Sequence, residues 1–359
     1  MKIAVFGSSL VSAYWNGACT YYRGIVRALD ARGHRVAFYE PDAFERQEHR
    51  DIDDPEWAEV VVYEAREERT VRKVVADAAA GAEVMVKASG VGAFDAALEE
   101  AVAESEDPAL RVFWDVDAPA TLAAMEADAE NPLRELIGRY DLVLTYGGGQ
   151  PVIDRYAALG ARACVPIYNA LDPETHHPEP PQPDLACDLA FLGNRLPDRE
   201  VRVEEFFFRV VEALPQRSFL LGGNGWDERV EGLANVRYLG HVPPGDHNAL
   251  NRSALAVLNA SRESMAANGW SPATRVFEVA GAGACLISDA WEGIEDFLTP
   301  GEEVLVARDG AEVAELLAGL DPERAREIGE AALERVLAEH TYERRAEQVE
   351  TVLEGVLVK

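Results

Sequence analysis

A proline-rich break divides this chain into two halves of similar pattern. Positions 171–184 hold five prolines in fourteen residues: Pro173, Pro178, Pro180, Pro181 and Pro183. Proline lacks the N–H that a helix interior or a central strand requires, so the stretch reads as an extended linker. On both sides of it, short apolar runs alternate with amphipathic segments. That is the pattern of parallel sheets covered by helices on both faces.

The expected strands of the first half are 3–6, 35–39, 60–63, 84–87, 111–114, 142–146 and 163–166, with helices at 20–31, 70–80 and 152–159. Arg32-Gly33-His34-Arg35 reads as a helix end, a glycine stop and the start of the second strand. In the second half strands are expected at 189–192, 218–221, 236–239, 254–259, 285–288 and 304–307. A helix over 201–214 buries Val203, Phe206, Phe207, Val210, Val211 and Leu214 as one stripe. From Pro322 onward the chain reads almost entirely as helix. The fold class is therefore α/β, with two Rossmann-like, doubly wound domains. Their expected bounds are 1–177 and 186–340, joined by the linker 178–185. A C-terminal helix, 341–359, is able to pack back on the N-terminal domain. Two such sheets facing one another make a cleft at their strand C-termini, where ligands bind in such folds.

Charge narrows the partners. The formal net charge is −30, from 64 acidic against 34 basic residues, and only Lys2, Lys73, Lys87 and Lys359 are lysines. This excludes a broad basic field for nucleic acid and disfavours docking on anionic lipid. No apolar run approaches membrane-spanning length, and Met1-Lys-Ile-Ala-Val-Phe-Gly7 reads as a buried strand rather than a signal peptide. Cys19, Cys164, Cys187 and Cys285 form no C-x-x-C pair. Free thiols and a cytoplasmic location are the expectation. The oligomeric state is left open.

The chemistry-bearing residues cluster where strands are expected to end. Arg275 and Glu278 stand three apart, on one face of a short helix near its N-terminus. An arginine fork suits a diphosphate, a carboxylate suits ribose hydroxyls, and a helix N-terminus adds amide donors. Glycine-rich turns follow several strands: Gly193-Asn194-Arg195, Gly222-Gly-Asn224-Gly225 and Gly240-His241 in the second half, and Gly7-Ser8-Ser9 with Asn16-Gly17 in the first. Such turns let backbone amides approach a phosphate or sugar closely. Neither the dinucleotide fingerprint nor the P-loop is present. Asp115 and Asp117 follow a strand two apart. Asp115 is the better candidate for a general base, because Asp117 precedes Pro119 in a helix N-cap position. His176-His177 lies in the linker with no third ligand in view, so no metal site is expected.

Together these motifs resemble a family. Asp188-Leu-Ala-Phe-Leu-Gly193-Asn194, Val236-Arg-Tyr-Leu-Gly240, Leu258-Asn-Ala-Ser261 and Pro272-Ala-Thr-Arg275-Val-Phe-Glu278 with Ala282-Gly-Ala284 resemble the donor domain of GT-B glycosyltransferases, in the spore-maturation-protein-like (CgeB) branch. The resemblance covers about 190–310 and is looser in the first half. It implies ribose on Glu278 and diphosphate on Arg195 and Arg199. With the residue reading, the donor set is Gly193, Asn194, Arg195, Arg199, Asn224, Gly225, His241, Arg275 and Glu278. The acceptor set is Ser9, Asn16 and Gly17, and the catalytic carboxylates are Asp115 and Asp117. Trp270, with Asn268-Gly269, stands where many relatives carry an E-G-F-G-type loop, which leaves both stereochemical outcomes open.

The implied activity is metal-independent transfer of a sugar from a nucleotide-diphosphate sugar, as substrate rather than cofactor, to a hydroxyl of a glycan or small-molecule acceptor. A nucleotide-sugar epimerase or hydrolase of the same fold, and a non-catalytic nucleotide- or glycan-binding module, are the alternatives the sequence allows.

Overall fold

The computed structural model describes residues 1–108 and 110–357. The last two positions of the expected C-terminal helix, Val358 and Lys359, lie outside the described residues. The chain forms two compact units. One is Met1–Tyr168 with the helix Tyr342–Leu357, and the other is Asn169–Thr341.

The first unit is built on seven parallel strands: β1 (Lys2–Phe6), β2 (Arg35–Pro41), β3 (Glu59–Tyr63), β4 (Val84–Ala88), β5 (Leu110–Asp115), β6 (Leu142–Thr145) and β7 (Cys164–Pro166). Their spatial order is β3-β2-β1-β4-β5-β6-β7. The order reverses between β1 and β4, the switch point at which doubly wound sheets open a crevice. All five residues of β4 are buried, which is why its sequence is nearly all apolar. The exception is Lys87. Its Nζ lies 2.7 Å from Asp95 and 2.7 Å from the Ala88 carbonyl, with Glu99 at 3.7 Å. A cation held out of water needs such partners. The two carboxylates come from the helix Asp95–Ala103, an element the sequence pattern did not reveal.

The helix Tyr342–Leu357 packs on the helix Cys19–Ala31 within this unit. Arg345 donates to the Tyr168 carbonyl at 3.2 Å, Gln348 to the Pro166 carbonyl at 3.1 Å, and Arg32 pairs with Glu350. Close approach rests on Gly24, where a Cβ would stand 2.2 Å from the Tyr342 ring.

The second unit repeats the plan with six parallel strands: β8 (Cys187–Leu192), β9 (Phe219–Gly222), β10 (Val236–Gly240), β11 (Ala254–Asn259), β12 (Leu286–Asp289) and β13 (Leu305–Ala307). Their order is β10-β9-β8-β11-β12-β13, with the switch point between β8 and β11.

Two expectations differ from the structure. The boundary expected at 177 falls at 168, and most of the proline-rich stretch is strapped to the second unit rather than free. Proline removes donors only at its own positions, so the other residues still pair. Leu171 N–H donates to the His340 carbonyl at 2.7 Å, Asn248 donates to the Thr175 carbonyl at 3.0 Å, and Gln182 N–H donates to the Ser253 hydroxyl at 2.8 Å. The helix expected over 201–214 starts earlier, at Pro197, and widens into a π turn over Glu204–Phe208 before ending at Ala213. The wider turn buries Phe206, Phe207 and Phe208 together.

Gly24→Ala tests the helix packing. Better helix propensity offers about 1 kcal/mol. Overpacking against Tyr342 costs about 1–3 kcal/mol, so net destabilisation is expected. Urea unfolding reads it, and an unchanged or raised midpoint would contradict the packing.

Candidate donor and acceptor sites

In the second unit the turns after β8 and β9 interlock. Gly193 N–H donates to the Gly222 carbonyl and Arg195 N–H to the Asn224 carbonyl, each at 2.9 Å. Asn224 N–H returns a bond to Asn194 Oδ1 at 2.9 Å, and Trp226 Nε1 caps the Gly193 carbonyl at 2.8 Å. Gly223 has φ +117°, and a Cβ there would sit 2.2 Å from the Gly193 oxygen, so only glycine fits. Asn194, Arg195, Asn224 and Gly225 are exposed on this double turn. Arg195 is turned to Glu200. His241 is exposed beyond β10, the edge strand.

Beneath the turn lies a group of cations. The Arg199 guanidinium would lie 2.9 Å from a Cβ placed on Gly193. Burial, with Arg275 and Arg262 close by, pushes the Arg199 pKa down. Arg275, in the first turn of the helix Thr274–Gly281, has Nε and Nη1 both buried without a hydrogen-bond partner, as has Nε of Arg199. Its Nη1 lies 3.3 Å from Glu278 Oε2. Burial works to raise the Glu278 carboxyl, but the Arg275 guanidinium outweighs it and holds its pKa below the usual range. Glu278 is therefore ionised.

The histidines are what sequence reading missed. His176 Nε2 faces Glu278 Oε1 at 3.9 Å, and His247 joins them. Burial lowers the His176 pKa, and burial with Arg275 takes His247 down to about 4, so both rings are neutral. The expectation that His176 has no third ligand is thus corrected. Its neighbours lie some seventy and a hundred residues further along the chain, where no local spacing could reveal them.

Behind the site, Asp289 at the end of β12 is fully buried and organises the turn after β11. It accepts from Arg202 at 2.6 Å, from Asn259 at 3.1 Å and from Ser261 N–H at 3.0 Å. Burial raises its pKa against the pull of Arg202. Trp270 adopts φ +39° and is pinned by its indole N–H to Asp296 at 2.7 Å.

In the first unit the loop after β1 is knotted by Asn16. Its Oδ1 accepts from Ser8 at 2.8 Å, and its amide donates to the Ser9 and Ser12 carbonyls at 2.8 and 3.0 Å. Ser9 is wholly buried, with its hydroxyl on Glu40 at 3.1 Å, so an acceptor role for it is corrected to a structural one. Gly17 is exposed, and Trp15 beside it is 79% exposed.

Asp115 requires the larger correction. It has no exposed surface and accepts from Ser89 at 2.7 Å, Thr121 at 2.9 Å, Asp117 N–H at 3.0 Å and Tyr156 at 2.5 Å. Burial raises its pKa against those donors. With its oxygens committed inside the protein, it cannot reach an acceptor hydroxyl. Asp117, expected to cap the helix Ala118–Ala127, stands at the N-cap but makes no side-chain capping bond, and it keeps some surface.

With this geometry in view, the fold is that of GT-B glycosyltransferase structures: two parallel sheets of seven and six strands with helices. Residues 199–351 match the family described as "Glycosyl transferase-like". A sucrose-phosphate synthase from Thermosynechococcus elongatus is similar over 100% of this chain and 99% of its own, at 16% identity and TM-score 0.72. Anabaena HepE in complex with UDP and glucose is similar over 99% of this chain and 100% of its own, at 15% identity and TM-score 0.66. An Escherichia coli protein described as trehalose-6-phosphate bound with UDP-2-fluoro glucose is similar over 99% of each chain, at 12% identity and TM-score 0.68. No curated protein matches by sequence. Among the described residues, no helix is long and apolar enough to cross a membrane.

Asp115→Asn is expected to act on stability rather than on a chemical step. Exchanging one acceptor oxygen for an amide in this network should cost about 1–3 kcal/mol. Thermal and urea unfolding measure it, and a variant as stable as the parent would reject the network.

Proposed function

We propose that this protein is a glycosyltransferase that moves a sugar from a nucleotide-diphosphate sugar to an acceptor hydroxyl, within the CgeB-like branch its motifs resemble. The observation that carries this reading is the Arg199–Arg275 pair. Two guanidiniums are held close together under a glycine turn, with buried N–H groups unpaired, a donor set that suits an anion. A diphosphate supplies that charge and those acceptors. Glu278, ionised beside Arg275, offers its oxygens to a ribose diol. UDP and UDP-glucose occupy HepE, which makes UDP-glucose the first donor to try.

The chemistry follows from the charges. The bond from the anomeric carbon to the β-phosphate oxygen breaks, and its electron pair leaves with the nucleoside diphosphate. Arg199 and Arg275 meet the negative charge that develops there, the largest single contribution such a site can make. The acceptor oxygen bonds to the anomeric carbon and gives up its proton. We assign the acceptor side to the first unit, near Asn16 and Gly17. Asp117, the carboxylate that keeps exposed surface, is the proton acceptor if the product is inverted. Because arginines and amides neutralise the leaving group, the reaction is read as metal-independent.

Arg275→Ala and Glu278→Ala should each weaken UDP binding by about 1–3 kcal/mol, measured by calorimetry. Variants that bind UDP as the parent does would remove these residues from the donor site. Turnover of UDP-glucose should persist in EDTA. Activity abolished by EDTA and restored by Mg²⁺ or Mn²⁺ would overturn metal independence. Asp117→Asn should lower kcat by roughly 10²–10⁴ with UDP binding unchanged, and an inverted product formed at full rate would exclude it as the base.

A further inference from the structure

The geometry points to a divalent-cation site, suited to Zn²⁺, formed by His176, His247 and Glu278 at the edge of the donor site. One ligand atom from each residue can be chosen so that all three lie within 4.8 Å of one another. That spacing lets small side-chain adjustments bring them onto one ion, since zinc bonds to nitrogen and oxygen are about 2.0–2.2 Å long. Two imidazoles and one carboxylate, with a water in the open position, form a ligand set that zinc favours.

The second observation is what lies behind the ligands. His176 is only 8% exposed, and its Nε2 is buried without a hydrogen-bond partner, facing Glu278 Oε1 at 3.9 Å. Its other nitrogen, Nδ1, lies 2.9 Å from the Thr175 hydroxyl, whose own proton points to the Asp172 carbonyl at 3.2 Å. Nδ1 is thus engaged by Thr175, which leaves Nε2 as the ligand atom that faces the carboxylate. His247 Nε2 lies 3.3 Å from the Val242 carbonyl, which leaves its Nδ1 for the ion. The far oxygen of Glu278, Oε2, faces Arg275 Nη1 at 3.3 Å. Each ligand is thus oriented from behind, as metal ligands commonly are. Arg275 also brings an opposing positive charge, which makes the site weaker than a structural zinc centre. His177, next in the chain, turns away toward Glu179 at 3.8 Å and takes no part.

The site stands without the donor reading. Its consequence, that zinc and nucleotide exclude each other, rests on that reading, because both would use Glu278. Zn²⁺ would then act as an inhibitor of the donor site and not as a catalytic metal.

The test is equilibrium dialysis of untagged, chelator-stripped protein against Zn²⁺, with bound metal counted by atomic emission. We expect one zinc per chain in the parent and in His177→Gln, and its loss in His176→Gln, His247→Gln and Glu278→Gln. Thr175→Val, which removes only an outer partner, should weaken binding roughly ten- to a hundredfold. Co²⁺ added to the parent alone should give the visible bands of a low-coordinate nitrogen–oxygen site, a readout that does not depend on any variant folding. No stoichiometric zinc in the parent, or zinc retained equally by the two histidine variants, overturns the site. Adding UDP should weaken zinc binding at least about tenfold. Zinc binding indifferent to saturating UDP would leave the cation site intact and reject ribose on Glu278. UDP binding weakened by Glu278→Ala in a parent that takes up no zinc would do the reverse.

Discussion

Every strand in each sheet runs parallel to its neighbours, and the rest of the molecule follows from that constraint. A parallel strand cannot be joined to the next by a tight hairpin, so each must be followed by a crossover on one face of the sheet. All the turns that leave strand C-termini then gather along a single edge. In the second unit this brings together the turns after β8, β9 and β11 and the end of β12, although they come from positions about a hundred residues apart. The glycines of these turns are there for geometry. Gly223 can have no side chain because the Gly193 carbonyl occupies the space, and that contact closes the double turn over Arg199.

The same edge is where the protein tolerates charge it buries nowhere without reason. In the first unit, Lys87 and Asp115 are both fully buried, and both are paired, with Asp95 and Glu99 for one and four donors for the other. In the second unit, Asp289 is matched by Arg202. Arg199 and Arg275 differ. They are brought near one another, and Glu278 answers only one face of one of them. A buried donor without an acceptor costs on the order of 1–3 kcal/mol.

The strands were legible because each is a short apolar run, and the central ones are buried on both faces. The expected and observed strands differ by at most two residues at either end. The Arg275–Glu278 spacing also led directly to an ion pair on one helix face, since three residues is close to one helical turn. What the sequence concealed was tertiary. Asp115 looked like a base because it ends a strand, but its partners Ser89, after β4, and Tyr156, in the helix Gly149–Ala158, enclose it. The helix Asp95–Ala103 lacks a strong amphipathic stripe, because Asp95 and Glu99 face inward to Lys87. The proline-rich stretch looked like a linker because prolines forbid regular structure. Irregular chain can still be bound tightly, and this one carries His176 to Glu278.

The local positive charge also has to be set against the whole molecule. The chain carries a net charge of −30, which repels a nucleotide diphosphate at long range. At physiological ionic strength that repulsion is screened beyond about 8 Å, so it governs encounter more than binding. Inside the site, screening is weak and the near charges decide. Arg199 and Arg275 contribute two positive charges and Glu278 one negative, while the histidines stay neutral, so these groups sum to one positive charge in an acidic protein. Neutral histidines are essential to that balance. Protonated, they would pair with Glu278. Neutral, they leave it ionised and aligned by Arg275 alone. An acidic protein can thus keep a local excess of positive charge that amounts to a single arginine.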